Sequence, residues 1–307
     1  MTKIFIDGSA GTTGLRIRER LSERKDISLI ILSEEKRKDT EARREALNSA
    51  DIAFLCLPDA AAIEAVSLVS NPNTAIIDTS TAHRTNAEWT YGFPELFEQR
   101  EKIKASKRIA NPGCHASGFV ALVEPLVRAG IISKDALLTC TSLTGYSGGG
   151  KKMIAEYESE EKSPLLAAPR MYGLSQQHKH LKEMAAIAGL ENKPCFMPIV
   201  APFYIGMEVT IPLFRENING DIKKIAECYS DYYKLGLVHF DENADEEGFV
   251  SANAFSGKDD MQISVFGNDE RILLVSRFDN LGKGASGAAI QNMNILLGTD
   301  EAAGLSI

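Results

Sequence analysis

The chain has 307 residues, of which 44% are hydrophobic and 25% charged, and it carries a formal net charge of −8. This length suits two domains with well-buried cores, and the composition excludes a disordered or fibrous protein. The acidic balance argues against a general nucleic-acid binder, although a local basic pocket would still accept a small anion. No apolar stretch approaches the roughly 20 residues that span a bilayer, and the amino terminus lacks the layout of a signal peptide. We therefore expect a cytoplasmic protein without nucleic-acid or membrane partners.

The first third of the chain alternates short apolar runs with helix-like segments. The sequence predicts strands at Lys3–Asp7, Ser28–Leu32, Ile52–Leu57 and Ala75–Asp78, and helices at Thr12–Glu23, Asp39–Ser49 and Asp59–Ser70. Apolar strands that alternate with helices indicate a parallel sheet covered on both faces. Asp59, which follows Pro58, is the expected N-cap of the third helix.

A glycine-rich turn lies between the first predicted strand and the first helix. The stretch IFIDGSAGTTG places Gly8, Gly11 and Gly14 where the backbone can approach a pyrophosphate that the helix N-terminus attracts. The GxxGxxG spacing is weaker evidence than GxGxxG, and a plain packing turn is the alternative. The strand, loop and helix around it nevertheless favour a dinucleotide site.

The end of the second predicted strand bears on which dinucleotide would bind. Ser33 is followed by Glu34, Glu35 and a run of cations that includes Arg37. A small hydroxyl beside cations suits a 2′-phosphate and favours NADP. Glu34 keeps NAD open, because it would also serve as the acid that binds the ribose hydroxyls.

Cys114 follows a sharp Asn-Pro-Gly turn and precedes an apolar helical pattern. The N–H groups and dipole of a helix start favour a thiolate over the thiol, whose ordinary pKa is about 8.5. We interpret Cys114 as a nucleophile, with a small buried core residue as the alternative. Pro125 lies inside the same pattern and should bend or break the helix. The remaining cysteines are scattered without CxxC spacing, so we expect reduced, buried thiols and no metal site: Cys56, Cys140, Cys195 and Cys228.

Two histidines in QQHKHLKE are the acid–base candidates, with Glu183 placed to orient an imidazole. On an unbroken helix His178 and His180 would face opposite ways, so at most one of them reaches the sulfur. The spacing does not say which one. His115 adjoins the nucleophile but is expected to point elsewhere on its helix.

Three cations stand in places suited to anion binding. Arg84 lies in DTSTAHR, Lys151 follows the glycines of YSGGGKK, and Arg170 lies in APRMYG. We expect the glycine stretch to be a flexible loop able to form a backbone nest. Each cation alone is compatible with a simple surface charge, but together they suggest a substrate with a phosphate and a carboxylate.

The rest of the chain predicts an α+β second domain. LLTCTSL reads as a strand and HKHLKEMAAIAGL as a helix, and three longer strands are predicted later, at Tyr204–Leu213, Met261–Phe266 and Arg271–Val275. This pattern favours a mainly antiparallel sheet. The last helix, opened by Gly284 and Ser286, is expected to return to the first domain. The expected domains are therefore 1–114 plus about 283–307, and 115–282.

The motifs GSAGTTG, DTSTAHR, NPGCHASGF, GYSGGGK, HKHLKE and DNLGKGASG together resemble the N-acetyl-gamma-glutamyl-phosphate reductase family, in its shorter subfamily, over nearly the whole chain. The resemblance implies a Rossmann-type doubly wound sheet plus an α+β catalytic and dimerisation domain, as in the related aspartate-semialdehyde dehydrogenase. It implies NADPH-dependent reduction of N-acetylglutamyl 5-phosphate to the 5-semialdehyde in arginine biosynthesis, by a homo-oligomer that is commonly a tetramer. It also makes Cys114 the acyl acceptor and prefers His178 over His180, with Glu183 in support. The longer subfamily has NPGCYPT where this chain has NPGCHAS.

The expected site residues follow from these motifs. Catalytic residues are expected at Cys114, His178, His180 and Glu183. Cofactor contacts are expected at Gly8, Ser9, Gly11, Thr12, Thr13, Gly14, Ser33, Arg37, Asn280 and Gly284. Substrate contacts are expected at Arg84, Asn111, Ser147, Gly148, Lys151 and Arg170.

In the expected mechanism the Cys114 thiolate forms a thioester, hydride from NADPH reduces it, and an imidazolium protonates the developing oxyanion. Two other functions stay open. One is a reductase of the aspartate-semialdehyde dehydrogenase type, and the other is a non-catalytic NADP-binding redox sensor. The residues also leave open whether the glutamyl group is free, acetylated or attached to a carrier protein.

Overall fold

The computed structural model describes all 307 residues. The strands are β1 (Thr2–Asp7), β2 (Ile27–Ile30), β3 (Ile52–Leu55), β4 (Ala75–Asp78), β5 (Thr90–Tyr91), β6 (Arg108–Ala110), β7 (Thr139–Gly145), β8 (Arg170–Met171), β9 (Cys195–Ala201), β10 (Met207–Phe214), β11 (Val238–Phe240), β12 (Met261–Asn268) and β13 (Arg271–Phe278). The helices are α1 (Thr12–Ser22), α2 (Thr40–Ser49), α3 (Asp59–Ser67), α4 (Gln99–Ala105), α5 (Cys114–Arg128), α6 (Gly150–Glu158), α7 (His180–Ala188), α8 (Ile222–Tyr232) and α9 (Gly287–Leu297). None of them has the length and apolar character that crossing a membrane requires.

The chain forms two compact units. Unit 1 comprises Met1–Gly113 and Ala285–Leu305, and unit 2 comprises Cys114–Gly284 and Ser306–Ile307. Unit 1 contains a six-stranded sheet in the order β2-β1-β3-β4-β6-β5, and every neighbouring pair is parallel. The predicted parallel sheet is therefore confirmed.

Both faces of the unit 1 sheet are covered by helices. Side chains alternate between the faces of a strand, so Ile4 and Phe5 of β1 enter different cores. Ile4 packs in a cluster with Ile17 of α1 and Met293 of α9. Phe5 packs in a second cluster with Leu47 of α2, together with apolar residues of α3. This double burial explains why the strands read as continuous apolar runs instead of alternating ones.

The start of α3 differs from the prediction. The N-cap of α3 is Pro58, and Asp59 is already its first helical residue. The Asp59 carboxylate accepts hydrogen bonds from the backbone N–H and the hydroxyl of Thr81. The expected N-cap role of Asp59 is therefore wrong, because its oxygens bind the loop after β4.

Unit 2 contains a seven-stranded sheet in the order β11-β12-β13-β10-β7-β9-β8. Four of its six neighbouring pairs are antiparallel, which confirms the predicted mainly antiparallel sheet. Helix α5 packs on β10 and β13 at one face. Gly118 permits this close approach, because a Cβ there would lie 2.5 Å from a methyl of Val209 and 2.7 Å from Ser276 Oγ. The opposite face of the sheet, called the open face below, includes the incompletely buried residues Leu143, Ile199, Thr210 and Leu273.

Helix α5 is continuous through Pro125, so the predicted break does not occur. Proline has no N–H, and the carbonyl of Ala121 therefore loses its usual partner four residues along. The hydroxyl of Tyr233 donates to that carbonyl at 2.6 Å and replaces the missing bond. A long-range contact thus keeps the helix intact.

Candidate active site

The glycine turn after β1 has the shape of a nucleotide-binding loop. Gly8 has φ of +87°, and a Cβ there would lie 2.2 Å from the carbonyl oxygen of Cys56. Gly11 is the N-cap of α1 without a side-chain cap, and a Cβ there would meet no atom closer than 3.5 Å. An uncapped helix start with open space in front of it suits a pyrophosphate. The loop therefore fits the dinucleotide that the sequence predicts, with Ser9, Thr12, Thr13 and Gly14 in the loop and the first turn of α1.

The turn after β2 holds the residues expected to choose between NADP and NAD. Ser33 accepts backbone hydrogen bonds from Lys36 and Arg37, which closes the turn. The Arg37 guanidinium forms an exposed ion pair with Glu34, at 2.5 Å. Arg37, which favours NADP, and Glu34, which would favour NAD, thus form an ion pair with each other.

Arg84 and Asn111 lie together in unit 1. Buried Arg84 donates through Nε to the carbonyl oxygen of Asn111 and through a terminal nitrogen to that of Thr79, both at 2.9 Å. The Asn111 amide donates to the Ala285 carbonyl at 3.0 Å. These contacts fix the backbone just before the Pro112-Gly113 turn.

Cys114 is the first residue of α5 and is partly exposed. Gly284 packs beside it, because a Cβ at position 284 would lie 3.0 Å from Cys114 Cβ. Burial raises the pKa of the Cys56 thiol to about 12. Cys140 is buried, Cys56 and Cys228 are half-buried, and Cys195 is exposed at the start of β9. The prediction that Cys195 is a core residue is therefore wrong, because its side chain points away from the covered face of the sheet.

His178 and His180 do not face opposite ways. Helix α7 begins only at His180, and His178 lies in the turn before it. The backbone N–H of His180 donates to His178 Nδ1 at 3.2 Å, and the two ring centroids are 4.8 Å apart. The expectation based on an unbroken helix is wrong, because that helix does not extend back to His178. His180 and Glu183 are both buried on α7.

The surroundings of His178 favour its neutral form. Burial lowers the pKa of this imidazole, and the positive charge of Lys179 lowers it further. Since Nδ1 accepts the hydrogen bond from His180, the proton of the neutral ring is on Nε2. His178 therefore presents an Nε2–H donor.

His115 belongs to the same cluster, although the sequence led us to expect that it points away. Its ring centroid lies 5.6 Å from that of His178 and 5.5 Å from that of His180. Its Nδ1 lies 2.7 Å from Ser142 Oγ, and its Nε2 lies 2.7 Å from the Tyr172 hydroxyl. The sequence analysis missed Ser142 and Tyr172, because they lie 27 and 57 residues from His115 and no local motif marks them.

The remaining predicted site residues of unit 2 are either hydrogen-bonded to one another or exposed. Asn280 donates to Ser147 Oγ at 2.9 Å and accepts from the Gly206 N–H, and Gly148 lies beside it. Lys151 on α6 and Arg170 on β8 are exposed. The expected flexible loop is instead a 3₁₀ turn at Tyr146–Gly149 that leads directly into α6. Asn280 and Gly284 belong to unit 2, although both were expected to contact the cofactor.

Comparison with protein families defines the class of the chain. Residues 3–106 match the semialdehyde dehydrogenase NAD binding domain, and residues 114–280 match the semialdehyde dehydrogenase dimerisation domain. Together these matches cover most of both units. The fold and the matched domains are those of a semialdehyde dehydrogenase, and the protein is an oxidoreductase with a dinucleotide-binding domain.

Curated relatives narrow this class. The chain is 46% identical to N-acetyl-gamma-glutamyl-phosphate reductase 2 of Nostoc sp., over 99% of each chain. It is also 46% identical to the N-acetyl-gamma-glutamyl-phosphate reductase of Brucella anthropi, over 96% of this chain and 98% of the relative. The chain belongs to the N-acetyl-gamma-glutamyl-phosphate reductase family, as the sequence motifs predict.

Solved structures share the fold at low sequence identity. Aspartate semialdehyde dehydrogenase II of Vibrio cholerae, complexed with ASA, superposes with a TM-score of 0.72 at 17% identity, covering 97% of this chain and 98% of the other. The aspartate semialdehyde dehydrogenase of Candida albicans, solved with NADP, gives a TM-score of 0.67 at 16% identity, with the same coverage. These likenesses confirm the predicted two-part architecture.

Proposed function

We propose that this protein reduces N-acetyl-L-glutamyl 5-phosphate to N-acetyl-L-glutamate 5-semialdehyde and phosphate, with NADPH as the reductant. The observation that carries the proposal is the position of Cys114 at the start of α5. The next residue of that helix, His115, lies within the histidine cluster. The names of the relatives support the substrate, and their identity over nearly the full length supports transfer of that activity.

Cys114 acts first. Its thiolate attacks the acyl carbon, the bond to the phosphate oxygen breaks, and a thioester remains on the sulfur. The departing phosphate carries away the electron pair of that bond and takes up a proton from water. We assign Ser147, Gly148, Lys151 and Arg170 to the recognition of the substrate's anionic groups, since hydrogen-bond donors and the exposed cations of Lys151 and Arg170 suit phosphate and carboxylate.

His178 then stabilises the oxygen of the thioester as negative charge develops there. The neutral ring offers Nε2–H as a hydrogen-bond donor, and the bond from His180 N–H to Nδ1 keeps the ring in that form. The alkoxide collapses to the aldehyde and expels the Cys114 thiolate, so this step requires no proton from an imidazolium. A neutral histidine donor therefore replaces the imidazolium acid that the sequence suggested.

The nucleotide would be held by the glycine turn Gly8–Gly14, with Ser33 and Arg37 at its adenosine end. When bound there, NADPH supplies the hydride that reduces the thioester. Unit 1 is thus the nucleotide-binding domain, and unit 2 is the catalytic domain with the dimerisation surface. NADP in a related solved structure supports the choice of the phosphorylated cofactor.

The assembly is a homo-oligomer, and we propose a tetramer built from dimers. The matched dimerisation domain and the open face of the unit 2 sheet support association of two copies. The cytoplasm is the proposed compartment, because the free cysteines suit reducing conditions.

The test is phosphate-dependent oxidation of the two semialdehydes by the purified enzyme with NADP. N-Acetylglutamate semialdehyde should be the better substrate, and Cys114→Ala should lower its turnover by at least ~10³-fold while nucleotide binding survives. Cys195→Ala, which removes the exposed thiol of β9, is the matched control and should keep wild-type rates.

Three outcomes would contradict the proposal. Faster turnover of aspartate semialdehyde would make the protein the sister enzyme. NADP binding without turnover of either aldehyde would favour a redox sensor. Near-normal rates in Cys114→Ala would remove the nucleophile from the mechanism.

A further inference from the structure

A chain of hydrogen bonds in unit 2 passes through His115, the residue that follows the nucleophile. Ser142 on β7 is fully buried, and its hydroxyl contacts His115 Nδ1 at 2.7 Å. On the other side of the ring, Nε2 contacts the Tyr172 hydroxyl at 2.7 Å. Tyr172 follows the edge strand β8, and its backbone N–H donates to the Pro198 carbonyl. The imidazole next to Cys114 in sequence is therefore held from both ends.

The partners of Ser142 determine which atom donates in each of these hydrogen bonds. Its hydroxyl contacts no polar side chain other than His115. If His115 donated from Nδ1, the buried Ser142 proton would have no acceptor, and an unsatisfied buried donor is costly. Ser142 therefore donates to Nδ1, and the single proton of the neutral ring is on Nε2.

This tautomer leaves the proton of Tyr172 available. Nε2–H of His115 donates to the Tyr172 oxygen, so the tyrosine hydroxyl accepts here and keeps its own proton for another acceptor. The ring is locked in place by Phe196, which packs edge-on with centroids 5.2 Å apart.

Electrostatics supports the same arrangement. Burial, with a smaller contribution from the positive charge of Lys179, lowers the pKa of His115 to about 3, so the ring stays neutral during turnover. Burial raises the pKa of Tyr172, and the negative charge of Cys114 raises it further. The tyrosine therefore remains a donor and lies within the electrostatic reach of the sulfur.

We propose that His115 is a positioning residue: braced by Ser142, it orients the Tyr172 hydroxyl as a hydrogen-bond donor to the Cys114 thiolate. This role deepens the proposed function, because it rests on Cys114 being the nucleophile. It also gives a role to the histidine of NPGCHAS. Proteins with the tyrosine of NPGCYPT at this position would have to orient the hydrogen-bond donor in another way.

The experiment measures how fast iodoacetamide alkylates Cys114 as a function of pH, with the Cys114 peptide quantified by mass spectrometry in a Cys195→Ala background. Tyr172→Phe and His115→Leu should each move the profile to higher pH by about one unit, and alkylation at neutral pH should slow about tenfold. The double variant should show no further shift, because both changes remove the same hydrogen bond.

His115→Gln is the conservative variant, since its amide nitrogen can occupy the place of Nε2 and donate to Tyr172. It should recover at least half of the shift, and kcat should follow the alkylation profile across all variants while KM stays unchanged. Variants that lose thermal stability but keep the wild-type profile would overturn the inference and leave His115 as a packing residue.

The inference and the proposed function can fail separately. Alkylation requires no substrate, so a shifted profile in a protein that oxidises neither semialdehyde would reject the proposed function alone. Normal oxidation of N-acetylglutamate semialdehyde with an unshifted profile would reject the positioning role alone.

Discussion

His115 shows how one buried side chain makes folding sensitive to acid. In the folded protein its pKa falls to about 3, mainly because burial disfavours the charged ring. In the unfolded chain the same imidazole titrates near 6.5. At a pH between these two values, the unfolded state therefore binds a proton that the folded state does not bind.

The consequence is a loss of stability on the acid side. The contribution of His115 is fully present above pH 6.5 and declines as the pH falls toward 3, amounting to about 2 kcal/mol lost at pH 5. His115→Leu, which cannot titrate, should show a correspondingly flatter dependence of unfolding free energy on pH. Urea unfolding of both proteins at pH 7.5 and pH 5 measures this difference, and parallel curves would show that the ring is not held neutral.

At this scale the sequence predicted some features and not others. The helix start at Cys114 could be predicted from the sequence, because Pro112 and Gly113 interrupt the chain just before an apolar helical pattern. The contacts of the His115 ring could not be predicted, because Tyr172 reaches His115 only through the pairing of β8 with β9. The start of α7 was also misplaced, and that error separated two imidazoles that are neighbours.

Among the elements, α5 depends on residues outside itself. Pro125 removes the donor that Ala121 would otherwise use, and Tyr233 supplies the replacement from the chain that follows α8. The hydropathy pattern predicted the helix correctly, but the proline rule predicted that Pro125 would bend or break it. The compensating hydroxyl lies 112 residues from its acceptor and could not be inferred locally.

This compensation predicts a coupled pair of substitutions. Tyr233→Phe should destabilise the protein by about 1–3 kcal/mol, because the buried Ala121 carbonyl loses its donor. In a Pro125→Ala background, the restored N–H can bond that carbonyl, so the same change should cost about 1 kcal/mol less. Denaturant unfolding of the four proteins measures the coupling.

Tyr229→Phe is the matched control for this cycle. The Tyr229 hydroxyl donates to the carbonyl of Leu122, whose helical partner is Leu126 and not the proline. Its cost should be the same in both backgrounds. Equal costs for Tyr233→Phe in both backgrounds would instead show that the tyrosine does not replace the missing bond.

At the scale of the whole molecule, the open face of the unit 2 sheet bears on assembly. Thr210 lies on β10, near the middle of the sheet, and Leu273 lies on the neighbouring strand β13 and is 43% exposed. A sheet covered by helices on one side only commonly buries its other side against a partner. The matched dimerisation domain includes both residues.

An arginine on this face should therefore disrupt assembly. Thr210→Arg and Leu273→Arg should lower the mass measured by light scattering toward the 33.5 kDa of one chain, because a buried unpaired charge is costly. Leu235→Arg, at an exposed leucine outside the sheet, should leave the mass unchanged. An oligomer that tolerates both arginines would place the contact elsewhere.

The broad architecture followed from the sequence because both units obey simple periodicities. Continuous apolar runs such as Ile52–Leu57 indicated strands buried on two faces, and longer strands set among helices, such as Tyr204–Leu213, indicated the mainly antiparallel sheet of unit 2. The capping of α3 and the hydrogen-bond partners of the glycine-rich turn at Tyr146–Gly149 did not follow, because they depend on contacts between distant segments.

The return of α9 to unit 1 has a consequence for how the newly made protein matures. Ala289, Ile290 and Met293 complete the hydrophobic cluster around β1, yet they are translated after nearly all of unit 2. A ribosome delivers the chain from its amino end, so the portion made first has to wait for the portion made last. A translation product that stops near residue 284 would contain all of unit 2 except its last two residues, beside a first unit that lacks the whole of α9.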